Sequence, residues 1–234
     1  MRNRGARAAG LNGIIRIQHG VIVMKSALLF GLMLLAICLL PACDKPRLTG
    51  VDPEKIDTSV DPEQIPVTSE DSMVITVKNG SFGLTPKAEY TLSGMVVGRE
   101  SYSDGWESTV SPVDLAIVWG KLAEPHHDKY VSYRQDGRWY FFKMRANSPF
   151  DTTYVTTHSG NNHIIPANQN VSKAVRSIRR EDLVVLKGFL VNLKGIYKGK
   201  HVFWNTSLSR SDTGSGSCEL LYVTRVRIDS RVYE

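Results

Sequence analysis

The chain has 234 residues, room for one or two domains, with 29 basic against 23 acidic residues and three cysteines. Five of the bases and none of the acids fall in residues 1–43, so the remainder holds 24 bases against 23 acids, and the overall charge of +6 is no argument for nucleic acid. Cys38 and Cys43 lie in that same segment, so Cys218 is the one cysteine beyond it; no internal disulfide is possible there, and the fold must rest on its apolar core.

Residues 1–23 contain Arg2, Arg4, Arg7 and Arg16 and no acid, and read as an over-extended start ahead of Met24 or as a long basic leader. Met24-Lys25-Ser26 then opens a nearly unbroken apolar run over 27–40 that ends in Leu40-Pro41-Ala42-Cys43. A short basic region, an apolar stretch and a small residue before the cut define a secretory signal. The run is short of the roughly 20 residues of a spanning helix. Leu-x-Ala-Cys in that position resembles the lipobox of bacterial lipoproteins, Pro41 being an uncommon residue within it. The resemblance implies cleavage before Cys43, diacylglycerol on its thiol and a further acyl chain on its amine. It places the protein in the bacterial envelope, bound to a membrane through Cys43 and facing the periplasm. Asp44 implies inner-membrane retention by the enterobacterial sorting rule, and inner against outer membrane stays open. Ordinary secretion with Cys43 as a plain thiol, or an uncleaved anchor, is the alternative.

Residues 44–72 hold eight acids, three bases and Pro46, Pro53, Pro62 and Pro66, with a near-repeat of Val-Asp-Pro-Glu-x-Ile at 51–56 and 60–65. Low apolar content with prolines predicts a flexible polar tether. At up to about 3 Å per residue it would hold the domain well clear of the bilayer. Residues 73–234 then form one domain, with 21 bases against 15 acids. Its mild positive charge suits phospholipid head groups, anionic glycans or nucleic acid, or is simply a soluble surface.

Within this domain, strands are expected at 73–78 and 89–99, the latter bent at Gly94 and Gly98. Ser111-Pro112-Val113-Asp114 has a capping pattern and predicts a short helix to about residue 121. Segments 130–134 and 138–143 flank Gln135-Asp136-Gly137 and predict a hairpin. Asn170 is expected to cap a helix over 171–180, apolar at Val171, Ala174, Val175 and Ile178 and basic at Lys173, Arg176, Arg179 and Arg180. A second hairpin over 183–193 and 201–207 and a last strand over 218–228 follow. The class is α+β, β-dominated, with antiparallel strands and two short helices. The element order is that of an OB-like barrel plugged by the central helix.

Four constellations carry candidate chemistry. Asp212-Thr213-Gly214-Ser215 resembles the loop of aspartic proteases, but those need two such aspartates, and one copy here follows a polar stretch. Cys218 after the Gly-Ser loop could be a nucleophile with His163 as base and Asp212 nearby, Asn161 or Asn162 orienting the imidazole; a small buried residue is the alternative. His126, His127, Asp128, His158, His163 and Asp212 lack metal-site spacing, so no metal or other cofactor is expected. Trp139 and Phe141 share one strand face, with Trp204 on a neighbouring strand. With the bases Arg176 and Arg180 they form a candidate surface for stacking sugars or nucleotides, unless helices cover that face.

The segments SPVDLAIVWG (111–120), HSGNNHIIPA (158–167), KGFLV (187–191) and WNTSLSRSDTGSGSCE (204–219) together resemble an uncharacterised family of bacterial exported proteins. The resemblance implies that the loop carrying His163 (158–163) and the Asp212-to-Cys218 loop belong to one unit, and it brings no catalytic role. The expected function is therefore a membrane-anchored, non-catalytic binding or assembly module, with a cysteine-dependent hydrolase or transferase using Cys218 and His163 as the alternative.

Overall fold

The computed structural model describes residues 45–68, 72–214 and 216–234; Cys43 and the signal segment lie outside them. The first strands are β1 (Gly50–Val51), β2 (Glu63–Pro66), β3 (Met73–Val77) and the 22-residue β4 (Gly80–Ser101). A one-turn helix α1 (Glu107–Val110) leads to β5 (Val113–Val118), and β6 (Val131–Asp136) and β7 (Trp139–Met144) form a separate hairpin. Helix α2 (Thr152–Thr157), strand β8 (Ser159–Pro166) and helix α3 (Gln169–Ser177) follow. The chain ends in β9 (Leu183–Tyr197), β10 (Lys200–Trp204), β11 (Glu219–Ile228) and β12 (Arg231–Tyr233). The fold is β-dominated, with short helices, as the sequence implied.

Five strands pair in a ring. β4 lies antiparallel to β5, β5 to β8, β9 to β11 and β4 to β9, while β8 and β11 run parallel. Closure is uneven. The β4–β9 ladder runs from Gly80↔Tyr197 to Met95↔Leu183, whereas β8–β11 spans Glu219↔Asn162 to Val223↔Pro166. The strong coiling requires glycine. A Cβ on Gly94 would meet Ile117 Cγ2 at 2.5 Å, and one on Gly188 would collide with the Tyr222 carbonyl. The β4–β5 register slips between Val96 and Gly98, at the predicted bend.

Alternate residues of the ring strands enclose the main core: Leu92 and Val96 of β4, Leu115 and Ile117 of β5, Ile164 of β8, Leu186 and Leu190 of β9, Leu221 and Val226 of β11. Val171, Ala174, Val175 and Ile178 pack α3 and the residue after it onto this cluster, as their spacing predicted. Its cap is Asn168, however, whose Oδ1 accepts from Val171 N at 2.9 Å. Asn170 is diverted: its Oδ1 accepts from Arg47 N, and its Nδ2 donates to the carbonyls of Arg47 and Glu234.

Three expectations are corrected. Segment 45–66 is no free tether. β1 pairs with β12, β2 pairs with β4, Ile56 is buried, and Arg227 binds Asp52 Oδ2 at 2.6 Å and the Glu54 carbonyl. The helix expected over 111–121 is β5; both its faces are covered, so its apolar residues form a run whose period says nothing. The loop expected around His163 is β8, whose Ser-Gly-Asn-Asn start has a loop-like composition although the strand is largely buried. Both hairpins form, with turns tighter than expected: Asp136 belongs to β6 and Tyr197 to β9, so that Gly137-Arg138 and Lys198-Gly199 take the positive φ that a two-residue turn requires.

Candidate functional site: a polar, aromatic-walled cleft

On the outer face of the ring, Asp114 of β5 stands opposite His163 of β8. Asp114 is 0% exposed and His163 is buried. A buried carboxylate demands a partner. The β6–β7 turn supplies it: Arg138, at φ 69°, donates from Nη1 to Asp114 Oδ1 at 2.9 Å and from Nη2 to the Ser111 carbonyl at 2.9 Å. Its guanidinium lies 4.1 Å over the Tyr102 ring and 5.2 Å over that of Trp204. His163 Nδ1 is 2.9 Å from Asp114 Oδ2, off the line of a well-aligned hydrogen bond, and its ring packs 4.6 Å from Trp204.

Asn161, one alternation from His163 along β8, ties the hairpin to the last loop. Its Oδ1 accepts from Gln135 Nε2 at 2.8 Å, and its Nδ2 donates to Arg138 O at 3.2 Å and lies 3.7 Å from Cys218 Sγ. Burial first, and then the carboxylates of Glu219, Asp114 and Asp212, push the Cys218 thiol up to about 11, with Asn161 opposing. That environment is the reverse of the electropositive one that makes a thiolate. No hydrogen bond joins Cys218 to His163 among the described residues. Asp212 sits on the exposed loop, its Oδ2 accepting from Ser207 Oγ at 2.7 Å. The carboxylate beside His163 is Asp114, in β5 rather than in the helix that its capping pattern predicts.

Two adjoining cavities open at this point. One, of about 290 Å³, is lined by Trp139, Tyr140, Phe142, Asp212, Cys218 and Glu219 among others. The second, of about 350 Å³, has Trp106, Arg138, His163, Phe203 and Trp204 in its walls, and Trp139, Gly214 and Cys218 border both. Trp139 is 47% exposed and Phe203 73%. Trp106 meets Trp204 edge-on at 5.9 Å. Glu219 is 7% exposed; burial lifts its carboxyl to about 8, with Asp212 adding to the rise and Arg210 opposing it.

Of the residues singled out in the sequence, His163, Cys218, Asp212, Trp139 and Trp204 thus border one cleft, and Phe141 lies at its first cavity, its ring under the Arg134 guanidinium at 4.7 Å. Arg176 and Arg180 are exposed but line neither cavity; Arg180 borders a separate groove with Arg179, Tyr133 and Arg134. The expected union of aromatic strand and basic helix is therefore corrected, because α3 covers the apolar core rather than the aromatic face. Tyr102, Trp106, Asp114, Arg138, Phe203 and Glu219 were missed. The SPVD stretch and the residue after the Asp-Gly turn were the available signals for Asp114 and Arg138. Among the described residues, no group of three or more His, Cys, Asp or Glu is placed to hold a metal ion.

No protein-family model, no curated protein and no solved structure matches the chain.

Proposed function

We propose that the protein is an envelope lipoprotein, anchored through Cys43, whose β-domain is a non-catalytic module that binds a glycan chain in the aromatic-walled cleft. The observation that carries this reading is the convergence of Trp106, Trp139, Phe203 and Trp204 on one open cavity beside Arg138 and His163. Aromatic faces offer large contact area at low entropic cost, and the surrounding polar groups fix orientation.

The strand ring supports it by fold-level analogy. Taking β4, β5, β8, β9 and β11 as strands one to five, with α3 between three and four, the pairing order is that of an OB-type barrel. Such barrels bind oligonucleotides and oligosaccharides on the strand 2–3 face, between the first and last inter-strand loops. Here that face offers Asp114, Asn161 and His163; the first loop offers Tyr102, Trp106 and Glu107; the last offers Phe203, Trp204 and Asp212.

Charge favours a neutral glycan over an anionic glycan or nucleic acid. The Arg138 charge is matched by Asp114, and Glu107 borders the same cavity. Phosphate recognition needs cations free to meet it. The cysteine-enzyme reading loses support from the raised thiol and from the carboxylates around it.

Titration of the purified domain with chito-oligosaccharides and with oligothymidylate, followed by tryptophan fluorescence, tests the ligand. A saturable response to the sugar and none to the oligonucleotide is expected. Silence towards the sugar overturns the glycan reading. Mass spectrometry of the mature N-terminus tests the anchor: diacylated Cys43 is expected, and an unmodified peptide running upstream through Cys43 overturns it.

A further inference from the structure

Apart from the cleft, a groove of about 440 Å³ is walled by four arginines: Arg99 of β4, Arg134 of β6, and Arg179 and Arg180 just after α3. All four are exposed, and Glu100 is the one acid in the same walls. Arg134 pairs with Asp136 at 2.8 Å, but both side chains are more than half exposed, so the pair is weak. Among the described residues, no hydrogen bond or ion pair engages the guanidinium groups of Arg99, Arg179 and Arg180. Asp182 is turned to the Arg179 amide, which donates to its Oδ2 at 2.7 Å, and Glu181 lies outside the groove's walls. Guanidinium groups gathered around one opening repel one another, and an anion between them relieves that repulsion.

The groove is also close to the anchor. Arg47 exchanges two hydrogen bonds with Asn170 in the first turn of α3: its N donates to Oδ1 at 2.6 Å, and its carbonyl accepts from Nδ2 at 2.9 Å. The chain is therefore held to the domain from Arg47 onward, and only four residues, at most about 14 Å, separate that point from Cys43. Helix α3, about 14 Å long, leads from there to Arg179 and Arg180. Lys45, Arg47 and Arg176 are exposed along this path, and Glu234, beside Asn170, is paired with Arg225 at 3.3 Å. A basic band thus runs from the anchored end to the groove.

We propose that this arginine groove docks on the bilayer that carries the Cys43 anchor, its guanidinium groups binding the phosphates of anionic phospholipids. This rests on the lipoprotein reading and is independent of the glycan reading. A guanidinium fork matches two phosphate oxygens at once, which a lysine does not. An anionic leaflet attracts basic residues that lie within a Debye length of it, and an anchor with so little free chain holds them there. The domain then lies with α3 along the membrane instead of standing off on a tether.

The test uses the full chain, purified with its anchor and added to vesicles of phosphatidylcholine with or without phosphatidylglycerol. Flotation reads the anchor. Arginine modification by phenylglyoxal, mapped by mass spectrometry, reads the groove, with the exposed Arg145 as reference. Arg99, Arg134, Arg179 and Arg180 should each react about fivefold more slowly on the anionic vesicles, and about 1 M salt should remove the difference. The surface variant Arg179→Glu with Arg180→Glu should float as before and lose the protection of Arg99 and Arg134. Equal reaction rates on both vesicles, with the protein floating on both, overturn the docking and leave the anchor standing. Protection produced on phosphatidylcholine by inorganic phosphate alone assigns the groove to a soluble phosphate and overturns the docking. A protein that floats with neither vesicle overturns the anchor and the docking with it.

Discussion

The two faces of β5 and β8 carry opposite chemistries on alternate residues. Inward, Leu115, Ile117 and Ile164 join an apolar cluster closed by α3. Outward, Asp114, Asn161 and His163 are just as buried, yet polar, and are covered by the β6–β7 turn and the loop before β11. The inward face is satisfied by shape alone. The outward face is held by specific partners, Arg138 for Asp114 and Gln135 for Asn161, and it stops short of full satisfaction at Asp114 Oδ2 and His163 Nδ1. If the cleft is the glycan site proposed above, stability and binding fall to neighbouring residues of the same strand.

The largest expected effect is on the outward face. Arg138→Ala would leave Asp114 buried and uncompensated, costing about 3–5 kcal/mol. Urea unfolding at pH 7 checks it, and a loss below about 1 kcal/mol would mean that the Asp114 charge is balanced some other way. On the inward face, Leu115→Ala should cost about 2–5 kcal/mol by leaving a cavity in the core. This loss should be nearly the same at pH 4 as at pH 7, since no titrating group is involved.

Glu219 sharpens the contrast through the sign of its pH dependence. Its carboxyl is raised in the folded state to about 8 from an ordinary 4.5. Between those values the unfolded chain has released a proton that the folded chain keeps, so Glu219 lowers stability as pH rises through that window. Glu219→Gln removes the penalty. The variant should match the wild type near pH 4 and exceed it by on the order of a few kcal/mol at pH 8. Thermal melts at the two pH values decide it, and equal differences at both would show that Glu219 is solvated. A smaller effect belongs to the end of the inward core: Asn168→Ala should cost about 1 kcal/mol by uncapping α3, while Asn170→Ala should leave the helix cap intact.

Local features were legible in the sequence. The β6–β7 turn, the apolar stripe of α3 and the bends at Gly94 and Gly98 all depend on near neighbours. What failed depended on distant pairing. Asp114 sits in a strand buried on both faces, where alternation between apolar and acidic residues looks like a helix start. Segment 45–66 has few apolar residues, and it is held by partners such as Arg227, 175 residues from Asp52, that no local window contains. His163 and Cys218 were placed in the right neighbourhood by their motifs. What the motifs did not show is Asp114, the carboxylate beside His163, which comes from a separate stretch of chain.

The smallest expected effect is at Cys218, and it separates the two faces most cleanly. A nucleophile in the cleft would react fast with iodoacetamide at neutral pH. A thiol raised to about 11 by burial and neighbouring carboxylates is almost wholly protonated at pH 7 and should alkylate far more slowly than free cysteine. Its rate should climb as pH rises past 9, and unfolding in urea should restore ordinary reactivity. Cys218→Ala should change stability by no more than about 1 kcal/mol, because the one bond it breaks is a weak amide-to-sulfur contact from Asn161 at 3.7 Å. It should also leave chito-oligosaccharide affinity within a few-fold. Rapid alkylation of the folded protein at pH 7, lost on Asp114→Asn or His163→Gln, would instead make the outward face a catalytic one.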